Sequence, residues 1–276
     1  MALAGGLGAL GALWGVESFL IEPNRLELTH HLLPVPGLPE RLEGFTFAHL
    51  TDLHFGGERG AHTRALASIE AHQPDLVVCT GDFVERTDAL PAFESFLDRL
   101  VDTAPQVVAV LGNWEYKQSD AFTDRAIAAY RDRDLQLLRN ETLVLDDGVA
   151  VIGGDDPVTG HFDPEAVFSD LPSAPFRLFL VHSPLALDGD YPGEAVFDLS
   201  LAGHTHGGQF RLGSFVPVTP GGSGRFVSGF YDTDVGPGYV SRGIGMTLIR
   251  GRFMCLPEMP YFTLTSTDGA PAGERR

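Results

Sequence analysis

The sequence predicts an α/β fold made of βαβ units. Two observations carry that prediction. From residue 45 onward, uninterrupted apolar runs alternate with segments whose apolar residues recur at helical spacing. The runs also lack the in–out alternation of a half-exposed strand, so both faces should be covered, as in parallel sheets packed beneath helices. A third observation concerns chemistry: run after run ends in aspartate, asparagine or histidine.

The elements follow in order. Residues 1–16, MALAGGLGALGALWGV, carry no side-chain charge; Glu17 interrupts and SFLI follows. A membrane span needs roughly 20 apolar residues, so the segment 1–21 is marginal. No Lys or Arg precedes its apolar part, as one should in a signal peptide. Three readings stand: a membrane anchor, a signal sequence lacking its basic start, and a core helix. The glycine and alanine content resembles membrane segments. The expectation is a chain that is membrane-associated through residues 1–21 or exported, with the membrane face left open. Residues 22–44 hold four prolines in mixed polarity and read as a connector.

FTFAHLTD (45–52), DLVVCTGD (75–82) and QVVAVLGN (106–113) read as buried strands. Helical spacing falls between and after them, at 62–73, 88–102 and 119–134. A hairpin is expected around Asp147-Gly148, and a helix near 163–171. FRLFLVHS (176–183) and FDLSLAGHTH (197–206) are again apolar runs with polar ends. Residues 207–243, rich in glycine and aromatics, read as long loops, and short strands should close the chain near 246–265.

Bulk properties narrow the function. The 276 residues fit one large domain or two small ones. Net charge is −18, from 37 acidic and 19 basic residues. Such a surface repels nucleic-acid phosphate and anionic lipid alike. An anionic substrate would need a local positive source, such as a metal or a few placed arginines. Cys79 and Cys255, the two cysteines, cannot supply a disulfide framework or a cysteine-ligated zinc site.

The residues able to bind metal collect at strand ends: Asp52 and His54 after one run, Asp82 at the end of the next, then Asn113, His182, and the pair His204 and His206. In open α/β sheets those ends form the ligand crevice. On an extended backbone, residues two apart point the same way, which would align Asp52 with His54 and His204 with His206. Gly81, Gly112 and Gly203 each precede a ligand and permit tight turning. A mixed oxygen and nitrogen set suits Mn²⁺, Fe, Zn²⁺ or Co²⁺ better than Mg²⁺ or Ca²⁺. Seven ligands exceed one ion's needs, so two ions sharing a carboxylate is the economical reading. Of the other histidines, His49 reads as a core residue, and His30, His31, His62, His72 and His161 as surface or loop residues.

DLH, GDFV, GN, VHSP and GHTHGGQ, in this order and at βαβ intervals, resemble the calcineurin-like metallophosphoesterases over residues 45–265. The resemblance implies a four-layer αββα sandwich with two mixed β-sheets, spanning 45–266 before a tail at 267–276. It implies one metal, Mn²⁺ first among those above, on Asp52, His54, Asp82 and His206. A second would lie on Asp82, Asn113, His182 and His204, with Asp82 bridging.

The family's usual histidine after the asparagine ligand is Trp114 here. An indole has one N–H donor and cannot shuttle a proton at neutral pH. Either turnover is crippled and the fold is a metal-stabilised interaction module, or the leaving group needs little acid help. The second reading fits a phosphate leaving group, as in the family's UDP-2,3-diacylglucosamine hydrolases, where this position is likewise often not histidine. The expected activity is therefore hydrolysis of a phosphodiester or pyrophosphate bond in a phosphorylated small molecule or lipid, a nucleotide-linked lipid among them. No nucleic acid is expected as a partner, and no protein partner is evident. The segment ending in VSRGIG resembles a membrane-linked branch in which it closes the site. Arg225, Tyr231, Arg242 and Arg250 are its candidates for substrate contact.

Overall fold

A computed structural model describes residues 14–56, 59–133, 135–191 and 197–267. The βαβ rhythm folds as read. Strands β2 (Thr46–Leu50), β3 (Leu76–Thr80) and β4 (Val107–Val110) alternate with helices α1 (Gly60–His72), α2 (Leu90–Thr103) and α3 (Asp120–Arg131). Helix boundaries follow local chemistry. Ser119 caps α3 by accepting the Phe122 N–H at 3.3 Å. Pro91 sits in the first turn of α2, where its missing N–H is harmless. Gln73 ends α1 in the left-handed conformation at φ 47°.

Two six-stranded mixed sheets result. The first is ordered β1-β12-β2-β3-β4-β5, where β1 is Glu27–Val35, β5 Gln136–Leu137 and β12 Glu258–Ser266. The second is ordered β10-β11-β9-β8-β7-β6, formed by β6 (Glu141–Val144), β7 (Val149–Gly153), β8 (Phe176–Leu180), β9 (Leu199–Ala202), β10 (Gly229–Thr233) and β11 (Gly236–Val240). The expected hairpin is β6–β7, antiparallel.

Side-chain alternation builds the layers. Phe47, Leu76, Val78, Val108 and Val110 point between the sheets and meet Val151, Phe176, Leu178, Leu180 and Leu201. Their neighbours in sequence, Ala48, Val77, Cys79 and Ala109, face α1, α2 and α3. Phe47 is fully buried, stacked on Phe262 with ring centroids 5.0 Å apart. Phe47→Ala would remove a central sheet-to-sheet contact, a change that costs about 3–5 kcal/mol in cores. The outer face of the second sheet carries a thinner layer: α4 (Pro164–Phe168) with an aromatic group of Phe162, Phe168, Phe179 and Phe197.

Four expectations need correction. The connector 22–44 contains β1, which pairs in parallel with β12 over nine residues. Its prolines are compatible with the edge of a sheet. The loop region 207–243 contains the antiparallel pair β10–β11. A single long strand, β12, replaces the short strands expected at 246–265. His62 is buried and not a surface residue, because its ring N–H donates to the Leu53 carbonyl at 2.9 Å. His49 is a core residue as read, held by burial to a pKa of about 4. Residues 1–13, most of the apolar segment 1–21, lie outside the described residues. Among the described residues no helix is long and apolar enough to cross a membrane.

Candidate metal centre

The strand ends converge. Each leaves its sheet through a sharp turn, and the ligand-type residues sit in those turns. Asp52, His54, Asp82, His204 and His206 have φ of 54°, 46°, 55°, 67° and 52°. This is the left-handed region, which costs non-glycine residues energy and gathers at functional sites. The extended-backbone reading of the two pairs is therefore wrong: Asp52 and His54 lie on a contorted turn, and His204 and His206 diverge.

Two groups form. Asp52, His54 and His206 make one; Asp82, His182 and His204 make the other. Within each, the atoms able to bind metal lie within 4.8 Å of one another, and all six residues are buried. In the first, His54 Nε2 is 3.0 Å from His206 Nε2, and His206 Nε2 is 3.2 Å from Asp52 Oδ1. In the second, His182 Nε2 is 3.0 Å from Asp82 Oδ2 and 3.2 Å from His204 Nδ1. Asp82 Oδ2 also lies 3.7 Å from His54 Nε2, so one carboxylate reaches both groups.

The outward nitrogens explain how the rings are aimed. His54 Nδ1–H donates to Glu85 at 3.2 Å. His182 Nδ1–H donates to the Thr80 carbonyl at 2.7 Å, and His204 Nε2–H to the Gly221 carbonyl at 2.8 Å. Each ring then turns its other nitrogen toward its group. His182 Nε2 and His204 Nδ1 face each other at 3.2 Å beside a carboxylate oxygen. With Nδ1–H of His182 and Nε2–H of His204 tied to carbonyls, these three atoms are the ones free to converge on a cation. Asn113 gives the same indication: it is buried, yet neither its Oδ1 nor its Nδ2 has a hydrogen-bond partner. The donor set therefore fits divalent metal.

Charge balance agrees. Burial alone would raise the Asp52 pKa, but His206 and His54 hold it well below the usual carboxylate range. Burial drives the His206 pKa down to about 3, so its ring is neutral and available as a ligand. His182 resists burial because Asp82 lies against it, and its pKa rises to about 10. A metal there would have to displace a proton.

Several supporting residues were missed in the sequence. Glu115 is fully buried and accepts backbone N–H groups from Gly112, Asp82 and Phe83 at 2.9, 3.0 and 2.7 Å. It thereby locks the Asp82 turn to the Asn113 turn. Burial and the Asp82 charge push its pKa up to about 7 against those donors. The signal was present in GNWE: amides freed at two strand ends need an acceptor, and a glutamate stands beside them. Gly81 completes the lock, since a Cβ there would lie 2.2 Å from the Gly112 nitrogen. VSRGIG packs beneath the first group, where the Ile244 and Gly245 N–H groups donate to the Thr51 and Asp52 carbonyls.

A cavity of about 470 Å³ opens over the centre. Asp82, Asn113, His204 and His206 form its floor, and Trp114, Phe210, Val218, Leu248 and Ile249 stand among its walls. The Trp114 N–H of the backbone donates to Asp82 Oδ1 at 2.8 Å, and its indole meets His54 edge-on with centroids 5.9 Å apart.

The four residues expected to contact substrate do not line this cavity. Arg225 pairs with Asp188 at 2.6 Å, and Arg242 pairs with Glu258 and Glu27. Arg250 pairs with Glu85. The Tyr231 hydroxyl accepts the Val227 N–H at 2.9 Å.

Comparison with known proteins matches this architecture. Residues 45–208 fit the family model described as calcineurin-like phosphoesterase. The chain is 30% identical to the metallophosphoesterase YkuE of Bacillus subtilis, across 97% of this chain and 95% of YkuE. It is 28% identical to the phosphodiesterase YaeI of Escherichia coli, across 88% of this chain and 90% of YaeI. It is 26% identical to the UDP-2,3-diacylglucosamine pyrophosphatase LpxG of Chlamydia muridarum, across 70% of this chain and 72% of LpxG. With the family model covering the strands that carry the centre, and YkuE matched nearly end to end, the chain belongs to the calcineurin-like phosphoesterases, hydrolases of phosphate esters that bind divalent metals.

Proposed function

We propose that this protein hydrolyses a phosphodiester or pyrophosphate bond in a substrate that joins a phosphate to an apolar moiety, such as a nucleotide-linked lipid. The observation that carries the reading is one cavity with two characters. Its floor is the buried Asp/His/Asn set, and its walls are apolar. Leu248 and Val218, at 85% and 73% exposure, extend that apolar surface to the rim, where a water-soluble phosphate monoester would gain nothing from it.

Asp52, His54, Asp82 and His206 would hold one ion, and Asp82, Asn113, His182 and His204 the other. Manganese is the first candidate by donor chemistry. Two such ions would supply an activated water and charge stabilisation for the phosphoryl oxygens. The chain's own residues do the rest. Glu85, Thr80 and Gly221 fix which histidine nitrogen faces the centre. Glu115 fixes the spacing of the Asp82 and Asn113 turns. The apolar walls exclude water and orient the substrate's apolar part. Trp114 offers no acid, which favours a leaving group that departs as a stable anion. Membrane association through the apolar N-terminal segment agrees with this substrate class. The described part of that segment leaves Trp14, Phe19, Leu20 and Ile21 exposed.

The test is turnover by the Mn²⁺-loaded protein of UDP-2,3-diacylglucosamine, bis(p-nitrophenyl) phosphate and p-nitrophenyl phosphate. The expected order is first, second, third. Metal bound with no turnover of any of the three would establish the alternative, an interaction module stabilised by metal, for which Trp114 is the one favourable observation.

A further inference from the structure

Lys117 is the only lysine among 276 residues; the other eighteen basic side chains are arginines. Among the described residues it is also the only lysine or arginine lining the cavity over the centre. Its ammonium stands 4.3 Å from the centroid of the Trp114 ring. It enters no ion pair among the described residues, whereas Arg225, Arg242 and Arg250 are each tied to a carboxylate. Its position is fixed from below. The Lys117 N–H closes the short turn Trp114–Tyr116 on the Trp114 carbonyl, and the Trp114 N–H is bound to Asp82.

We propose that Lys117 and Trp114 together form an anion subsite that receives the departing phosphate. This rests on the hydrolytic reading above. The reaction needs only water: its oxygen bonds to phosphorus, its proton passes to solvent, the bridging P–O bond breaks, and both electrons of that bond leave with the departing phosphate. Charge therefore grows on that group during the step. In a protein of net charge −18, a phosphate leaving the cavity floor meets, among the described residues, one lysine or arginine at the cavity wall. A lysine is suited to this task. It is a compact point charge with three rotatable donors on a flexible stem, and it can follow a group that moves. The indole face holds the ammonium near the mouth without neutralising it. The pair thus does by charge what a histidine at position 114 would do by proton transfer.

The chain's single lysine permits a test that does not depend on turnover. Metal-loaded full-length protein is treated with acetic anhydride, with inorganic phosphate or with chloride at equal ionic strength, and acetylation is mapped by mass spectrometry. Phosphate should slow acetylation of Lys117 at least about threefold and leave the chain's α-amine unchanged. In parallel, Lys117→Met should lose about 10- to 100-fold in kcat/KM on UDP-2,3-diacylglucosamine, the worth of one charged hydrogen bond. Its loss on bis(p-nitrophenyl) phosphate should be at least tenfold smaller, because nitrophenolate disperses its own charge. Lys117→Arg should recover most of the difference. Equal losses on both substrates, or acetylation indifferent to phosphate, would overturn the subsite. If the wild-type protein turns over neither substrate, the hydrolytic reading fails by itself, and phosphate protection alone decides whether the subsite exists.

Discussion

The two residue groups at the centre are alike in composition and unlike in support. His54, in the first group, leans on a side chain: its Nδ1–H meets the Glu85 carboxylate, which in turn pairs with Arg250. His182 and His204, in the second group, lean on main-chain carbonyls of Thr80 and Gly221. A carboxylate partner makes an imidazole more basic and a stronger ligand, but it depends on one replaceable residue. A carbonyl partner is weaker and comes with the fold. The second group's support is therefore main chain, from β3 at Thr80 and from the turn at Gly221, while the first group's strength can be tuned.

The most severe way to break the comparison is Asp82→Asn, because that carboxylate reaches both groups. Turnover should fall at least about 1,000-fold, the scale on which a single essential electrostatic contact acts. Metal analysis should show fewer than two ions per chain. Unchanged turnover would remove Asp82 from the centre. A finer cut is Glu85→Gln. Calorimetric titration should find one site weakened about 10- to 100-fold and the other unmoved. Equal weakening of both would mean that the two groups are not independently supported.

Glu258→Gln supplies the control, since Glu258 is likewise buried and paired with an arginine but orients no imidazole. It accepts from Tyr239 at 2.6 Å and from Thr29 at 3.1 Å. Metal stoichiometry should not change, and stability should fall by about 2 kcal/mol at pH 7. Burial would raise the Glu258 pKa, but Arg242 outweighs burial and holds it below 4.5. Its contribution is thus complete above pH 4.5 and lost as the pH falls through the lower folded value. Chemical denaturation at pH 7 and below pH 4 should show the gap between variant and wild type narrowing in acid.

Which parts were legible in the sequence follows from distance along the chain. The strand–helix alternation is local, so β2 to β4 and α1 to α3 could be read from spacing. The convergence of the strand-end Asp and His side chains was legible because an apolar run that stops at Asp or His is unusual within a few residues. β1 was hidden: its exposure alternates, it contains Pro34, and its partner β12 begins 231 positions later, as the register Glu27↔Glu258 records. The arginine partners were hidden for the same reason. Arg242 and Glu27 are 215 residues apart, and no local pattern joins them. Glu115 was legible in principle, because it neighbours the very amides it satisfies.

The left-handed backbone at Asp52, His54, Asp82, His204 and His206 also has a bearing on engineering. Each such residue forfeits about 1 kcal/mol that glycine would not. Together they approach the low end of a typical domain's whole stability. A search for heat-resistant variants guided by folding energy alone would therefore rank glycine highly at these five places. Every gain it found there would delete a side chain that we propose as a ligand. The same arithmetic makes the metal-loaded and metal-free proteins two different substrates for selection: where ligation repays the distortion, the five side chains are kept, and where metal is scarce, the fold itself presses toward losing them.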